Sequence, residues 1–433
     1  MTRNFAPKIE PINRVMVSSK VGNDSVLEES NSKAVFKLHK AFKEIVNSNG
    51  ETTFGLTNLE EKIVKAADGF VFLPIPKEIK QLRAPERREF FREMFKAASL
   101  FVGVQTKDPN LRLNPQHDES PLKPIVLVNH EGCWDPFREL VNHMHELGTI
   151  TQKPETIVKF VKNIDEAISL LKTAHQEKVL PQPHHDNGSK ISRADEIPLS
   201  STSVERKKPD FNVCVFCSAS TKNKDLINMS ETLGEEIAKQ DWGLISGLGK
   251  TGMMGGVVRG AAKVVQEEGK GWVGGSNLPR IIAMEGLPEY YDKMWAREDI
   301  YTRMQVMIEQ SQAFMIMPGG MGTVQELMAL LLLKHAHDGE ANYPMRDDNF
   351  ANKPIIVVNK ELSLPDGKKA KFWQPLVEMA EKFGFYNAAQ NKGDMIVVDT
   401  VEEAMEKLKE WHSKKSHKIE QRRTANGDAA QAL

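Results

Sequence analysis

Short apolar runs alternate with longer stretches in which apolar residues recur every three to four positions. The first pattern predicts buried strands and the second predicts amphipathic helices. In the first part of the chain, strands are predicted at Arg14–Ser19, Thr52–Leu56, Phe70–Pro74 and Lys123–Asn129. Helices are predicted at Ser32–Asn47, Asn58–Ala67, Glu86–Ala98, Asp135–Leu147 and Ile164–Ala174. Asn58 is placed as an N-cap, with Glu61 at the capping-box position. Strand following helix in this way implies a parallel sheet.

From about His175 to Asp210 the periodicity stops. Polar, proline-bearing segments such as Pro181–Ser189 and Ser200–Ser203 read as a linker. The pair His184-His185 lies in it and is read as solvated linker residues. Alternation then resumes. Strands are predicted at Phe211–Ser220, which ends in small polar residues, and at Gly243–Gly247, Ala313–Met317, Lys353–Asn359 and Asp394–Val398. Helices are predicted at Leu226–Lys239, Val257–Glu267, Asp299–Gln310, Leu327–Leu333, Trp373–Phe383 and Val401–Trp411. The basic, then small and polar, tail from Ser413 reads as a disordered end.

Two glycine turns follow strands. The first, Gly247-Leu248-Gly249-Lys250-Thr251-Gly252, spells GxGxxG between a strand and a helix. No acidic residue closes a later strand at the spacing a ribose-binding carboxylate needs, so close helix–sheet packing with a nucleotide-edge contact is preferred over NAD binding. The second is Pro318-Gly319-Gly320-Met321-Gly322-Thr323, followed by Val324-Gln325-Glu326. A strand, a glycine turn and a helix present free N–H groups and the positive end of a helix dipole to an anion. Thr323 adds a hydroxyl. Glu326 adds a carboxylate that phosphate binding alone has no use for, so it points to chemistry on something attached to the phosphate.

The halves echo each other. Lys123–Asn129 matches Lys353–Asn359, and Val161–Ala167 matches Val398–Ala404. Gly69–Pro74 falls opposite Gln312–Pro318, but Ile75-Pro76-Lys77-Glu78 then replaces the glycines. The fold class expected is α/β: a Rossmann-like doubly wound parallel sheet over 209–412, preceded over 1–175 by a shortened, degenerate copy, with a linker at 176–208 and a tail at 413–433. Because the first copy lacks the turn, the glycines at 319, 320 and 322 are expected to serve a ligand rather than the architecture.

Composition narrows the partners. Lysine plus arginine number 58 against 59 acids, a formal charge of -1, which argues against a nucleic-acid or acidic-membrane binder. Cys133, Cys214 and Cys217 make no disulfide framework and fit a reducing cytoplasm. Cys214 and Cys217 sit three apart on a strand and point to opposite faces, so no shared metal is expected. No signal peptide is read at Met1-Thr2-Arg3-Asn4, and no apolar run approaches the ~20 residues of a membrane span.

At its PGGxGTxxE stretch the chain resembles the Lonely Guy family, often labelled lysine-decarboxylase-like. The resemblance covers roughly Phe211 to Trp411 and includes the Cys217-Ser218-Ala219-Ser220 strand end and Arg303 one helix upstream. It implies hydrolysis of the N-glycosidic bond of nucleoside 5'-monophosphates, AMP-like or cytokinin riboside monophosphate-like. It implies no cofactor, and an oligomer whose sites draw residues from both subunits. By that resemblance Gly319, Gly320, Gly322 and Thr323 hold the 5'-phosphate. Arg303 and Glu326 match the catalytic arginine and glutamate, and Ser218, Gly247, Gly249 and Gly252 line the nucleotide pocket. The chain departs from the family at Leu248, Tyr301, Met304 and Gln325, positions expected around base and ribose. A non-catalytic nucleotide or cofactor carrier of the same fold is the alternative. Decarboxylation needs a pyridoxal-bearing lysine, and nothing marks Lys250 or Lys334 as one.

Overall fold

A computed structural model describes residues 12, 14–18, 25–47, 64, 66–75, 84–105, 111–113, 121–174, 206–334, 350–364 and 367–414. The expected linker up to residue 205, the expected strand Thr52–Leu56, most of the helix expected at Asn58–Ala67, His335, His337 and the tail beyond Lys414 lie outside the described residues.

The N-terminal sheet has five strands: β1 (Arg14–Ser18), β2 (Glu44–Asn47), β3 (Gly69–Phe72), β4 (Ile125–Val128) and β5 (Lys159–Val161). All neighbours are parallel, in the order β2-β1-β3-β4-β5. Its helices are α1 (Ser25–Ala41), α2 (Ala84–Gln105), α3 (Asp135–Glu146), the single turn α4 (Pro154–Ile157) and α5 (Ile164–Thr173). The helix expected at Ser32–Asn47 divides in two. The β-branched pair Ile45-Val46 leaves it to pair with β1 as β2, where such side chains fit a pleated surface.

The C-terminal sheet has seven main strands. They are β6 (Asn212–Phe216), β7 (Gly243–Ser246), β8 (Trp272–Asn277), β9 (Lys293–Ala296), β10 (Ala313–Ile316), β11 (Ile355–Val358) and, after two short hairpin ladders, β16 (Ile396–Val398). The ladders pair β12 (Glu361–Ser363) with β13 (Lys369–Lys371), and β14 (Tyr386–Asn387) with β15 (Lys392–Gly393). The seven strands run parallel in the order β16-β11-β10-β6-β7-β8-β9. Helices α6 (Lys224–Lys239), α7 (Gly252–Glu268), α8 (Pro279–Glu285), α9 (Ile300–Glu309), α10 (Met321–Lys334) and α11 (Gln374–Lys382) surround the sheet, and residues 401–414 form α12. The expected doubly wound parallel sheet is therefore present. Strands β8 and β9 extend it beyond the sequence expectation. Gly274 and Gly275 interrupt the apolar run of β8, because they must lie flat against the Trp272 ring and the Ser246 carbonyl.

The order β2-β1-β3-β4-β5 repeats as β7-β6-β10-β11-β16. Details repeat with it. Asn129 Oδ1 accepts from Trp134 N at 2.7 Å, and Asn359 Oδ1 from Trp373 N at 2.7 Å. Lys123 Nζ donates to Val64 O and Lys353 Nζ to Ser311 O, both at 2.9 Å. Asn129 N reaches Val161 O and Asn359 N reaches Val398 O, both at 2.7 Å. Leu73 N donates to Ser18 O and Met317 N to Phe216 O, so Pro74 and Pro318 follow equivalent strand ends. One buried apolar cluster runs through both units.

Helices α6 and α7 lie backbone against backbone. A Cβ on Gly234 would collide with Val257 O and stand 2.9 Å from Ala261 N. Gly234→Ala is expected to cost about 1–3 kcal/mol through overpacking. An unfolding midpoint in guanidinium equal to wild type would contradict this contact.

Candidate active site

The order of the C-terminal sheet reverses between β6 and β10. In open parallel sheets, ligands bind outside the carboxyl ends of the strands at such a switch point. Ser218 follows β6 and Pro318 follows β10, and Ser218 N donates to Pro318 O at 3.2 Å. The candidate residues therefore meet at the place where this topology opens a crevice.

The Pro318–Thr323 turn runs directly into α10. Its first N–H groups have no intrahelical acceptor. Thr323 stands in the first helical turn, buried, with its side chain folded over Gly319. A Cβ at Gly319 would strike that side chain. A Cβ at Gly320 would lie 3.0 Å from Thr149 O and 3.4 Å from Ile150 Cγ2, both in the N-terminal unit. At Gly322 the only neighbour is Val102 Cγ2, at 4.0 Å. The expectation that these glycines serve a ligand alone is therefore corrected. Packing within the turn requires Gly319, the N-terminal unit approaches Gly320 tightly, and Gly322 is the least confined of the three.

The second turn is braced from several sides. Leu248 holds a left-handed φ of 49° while fully buried. A bulky residue in that region stores about 1–3 kcal/mol of strain. Asn277, at the end of β8, donates from Nδ2 to Leu248 O at 3.2 Å, and Gly249 N donates to Met254 Sδ at 3.0 Å. Gly252 opens α7 with φ 59°, pressed on the backbone of Ala219. The N–H groups of Met253 and Met254 both donate to Ser218 O, at 2.9 and 3.2 Å. The start of α7 is thus tied to the end of β6, and Ser218 Oγ accepts from Ser220 N and Thr221 N.

Arg303 and Glu326 come together although they lie on different helices. Asp299 caps α9 by accepting from Tyr301 N and Thr302 N, both at 2.9 Å. That sets the face of α9 carrying Arg303. Its Nε donates to Ser276 O at 2.9 Å. Nη1 then stands 3.7 Å from Glu326 Oε1, and Nη2 passes Gly247 so closely that a Cβ there would collide with it. Arg303 is 6% exposed and Glu326 7%. Burial pushes the Glu326 carboxyl up to about 7, with the Arg303 charge opposing the shift in part. Cys214 and Cys217 on the neighbouring strand end are buried thiols. Burial, and then the Glu326 charge, raises both.

Sequence reasoning missed Ser276 and Asn277, which position Arg303 and the Gly247–Gly249 turn. The signal was present: Gly274-Gly275-Ser276-Asn277 is a strand end in small polar residues, like Cys217-Ser218-Ala219-Ser220. Tyr301 and Gln325, expected around base and ribose, instead face α2 of the N-terminal unit. The Tyr301 ring lies 6.3 Å from Phe95, and Gln325 Nε2 donates to Ser99 Oγ at 2.9 Å. Among the described residues no group of three or more His, Cys, Asp or Glu side chains is arranged to hold a metal, and no helix is long and apolar enough to cross a membrane.

Comparison with known proteins bears on the same unit. Residues 254–408 match the family model described as possible lysine decarboxylase. The cytokinin riboside 5'-monophosphate phosphoribohydrolase of Mycobacterium tuberculosis (strain ATCC 25618 / H37Rv) is 31% identical over 119 residues, which are 27% of this chain and 60% of that protein. A probable cytokinin riboside 5'-monophosphate phosphoribohydrolase of Oryza sativa subsp. japonica is 28% identical over 208 residues, 45% of this chain and 78% of that protein. The chain thus spans 60% of the length of the mycobacterial relative. Among solved structures, the Moco carrier protein of Chlamydomonas reinhardtii shares 20% identity over 48% of this chain and 99% of that one, with a TM-score of 0.32, too low to bear on function. Residues 254–408 thus match the lysine-decarboxylase-like family model, and the relatives similar to this part of the chain share its likeness to the Lonely Guy motif at Pro318–Glu326.

Proposed function

We propose that this chain hydrolyses the N-glycosidic bond of nucleoside 5'-monophosphates, releasing the free base and ribose 5-phosphate. The observation that carries the reading is the buried Arg303–Glu326 pair beside the glycine turn that opens α10. A phosphate seated on the first turn of α10 meets N–H donors and the positive end of the helix. Its ribose then extends toward Glu326. As the bond from C1' to the base nitrogen breaks, positive charge builds on the sugar, as in glycoside hydrolysis. Ionised Glu326 stabilises that charge and takes a proton from the water that attacks C1'. The departing base gains a proton, so atoms and charge balance. Arg303 offers donors to phosphate or ribose, as guanidinium groups do to oxyanions, while Ser276 fixes its Nε. The names of the relatives make cytokinin riboside 5'-monophosphates the first substrates to try, with AMP beside them as the simplest adenine nucleotide.

The direct test is a panel of AMP, GMP, CMP, UMP and a cytokinin riboside monophosphate, assayed for ribose 5-phosphate. Wild type is expected to release it from at least one. Glu326→Gln is expected to lose about 10²–10⁴ in rate. Measurable binding with no release from any nucleotide is the behaviour of a carrier and overturns the reading.

The pH dependence follows from the carboxyl. Only its ionised form accepts the proton, so kcat/KM is expected to rise with pH along a limb centred near 7, the value to which burial pushes Glu326. A limb centred near 4.5 would show an unburied carboxyl. Stability moves the other way. The folded value lies above the ordinary 4.5, so protonation favours the folded chain: the contribution is full below 4.5 and is lost as pH rises through about 7. Glu326→Gln should therefore gain stability relative to wild type across that window, by on the order of a few kcal/mol. Melting curves at pH 5 and pH 8 with an unchanged difference between the two proteins would contradict it.

A further inference from the structure

The two units meet through equivalent elements. Helix α2, which follows β3, packs on α10, which follows β10. Helix α3, which follows β4, packs on α11, which follows β11. Like elements meeting like is the signature of an interface built about a two-fold axis. Here both sides of the interface belong to one chain.

Its two ends differ. At the C-terminal unit's site, the turn after α3 reaches over the glycine loop. Thr149 O accepts from Ser220 Oγ at 2.9 Å and would stand 3.0 Å from a Cβ on Gly320, with Ile150 beside it. From α2, Ser99 Oγ accepts from Gln325 Nε2 and in turn donates to Phe95 O at 2.7 Å, and Phe95 packs on Tyr301. Gln325 adjoins Glu326, and Tyr301 lies on the helix that carries Arg303.

At the other end the equivalent place is filled. The turn after α11 matches that after α3: Thr149 N donates to Met144 O and Phe385 N to Ala380 O. There Phe385 lies edge-on against Phe91, with centroids 4.8 Å apart. Lys96 stands as far before Ile125 as Glu326 stands before Ile355. Its ammonium is buried, 3.2 Å from Glu93 Oε1 and 3.4 Å from Ser18 Oγ at the end of β1. A cation paired to its own helix occupies the position at which the other unit has its acid.

We infer that the chain is an internal pseudo-dimer with one blocked and one open nucleotide site, in which Ser99, Phe95 and the Thr149-Ile150 turn are positioning residues for the open one. They act through Gln325, which adjoins Glu326, through Tyr301 on the helix of Arg303 and through Gly320 in the glycine turn. Tyr301 and Gln325 depart from the family pattern because they face a built-in neighbour, whichever base the site prefers. The inference rests on the nucleotide reading above, but its test separates the two.

The test uses the full chain carrying Ser99→Val, Ser99→Thr, Ile150→Ala or Leu38→Ala. Ser99→Val leaves the Gln325 amide without its acceptor, whereas Ser99→Thr keeps one. Leu38 is fully buried in the outer core of the N-terminal unit, away from the site, and controls for simple destabilisation. Kinetics and the Kd for AMP and ribose 5-phosphate are measured below the melting transition of each variant. Ser99→Val and Ile150→Ala are expected to shift kcat/KM and Kd by about tenfold or more, as small misplacements of a site do. Ser99→Thr and Leu38→Ala should stay near wild type. Ser99→Val and Ile150→Ala within about twofold of wild type in every constant overturn the inference, whatever the wild-type rate. If wild type hydrolyses nothing, the hydrolase reading fails and the Kd shifts alone decide the positioning role.

Discussion

The structure depends on keeping one carboxylate out of water beside one guanidinium. Glu326 projects from the first half of α10 into a space closed by the end of β6 and by Arg303. Burying an acid is costly, and the cost appears as a carboxyl that holds its proton to about pH 7. Everything near it serves that placement. Ser276 holds Arg303 by its Nε, Gly247 yields room for its Nη2, and Asp299 starts the helix that aims it. On the proposed hydrolase reading, a site tuned in this way switches its base on within the physiological range. It also keeps the charge in a poorly screened setting, where its effect on a developing cation is greatest.

The second constraint is the packing of the two units. A backbone carbonyl from the N-terminal unit lies close against Gly320, and the buried Gln325 gives its hydrogen bond to Ser99. The glycine turn is thus shaped from both sides, by Thr323 within its own helix and by Thr149 and Ile150 across the interface. The N-terminal unit keeps the strand order and the asparagine and lysine brackets of the C-terminal one, but its own crevice is occupied by Phe385, Phe91 and the Lys96–Glu93 pair.

Much of this is legible in the chain because the signals are local. The runs at Ile125–Val128, Ala313–Ile316 and Ile355–Val358 announce buried parallel strands, and the motif from Pro318 to Glu326 announces a strand, a turn and a helix with an acid. The matched Lys-Pro and Val-Asn pairs around β4 and β11 show a repeat, since both copies spend those residues on the same brackets. Strand β8 hides because its two glycines break the apolar run. The end of α1 is misjudged because Ile45 fits a helical period while its β-branched neighbour Val46 favours a ladder. The reasons for Gly319 and Gly320 stay hidden because they involve a side-chain fold and a carbonyl far away in sequence. Ser99 and Gln325 lie 226 positions apart, and no local pattern joins them.

The protonation of Glu326 is the quantity on which the site turns, and it can be read without substrate. Infrared difference spectra of wild type minus Glu326→Gln, recorded from pH 4 to pH 9, isolate this one carboxyl. A protonated-carboxyl band that vanishes with a midpoint near 7 is the predicted result. A carboxylate already ionised by pH 5 would contradict it, and with it the burial from which the chemistry of the site is drawn.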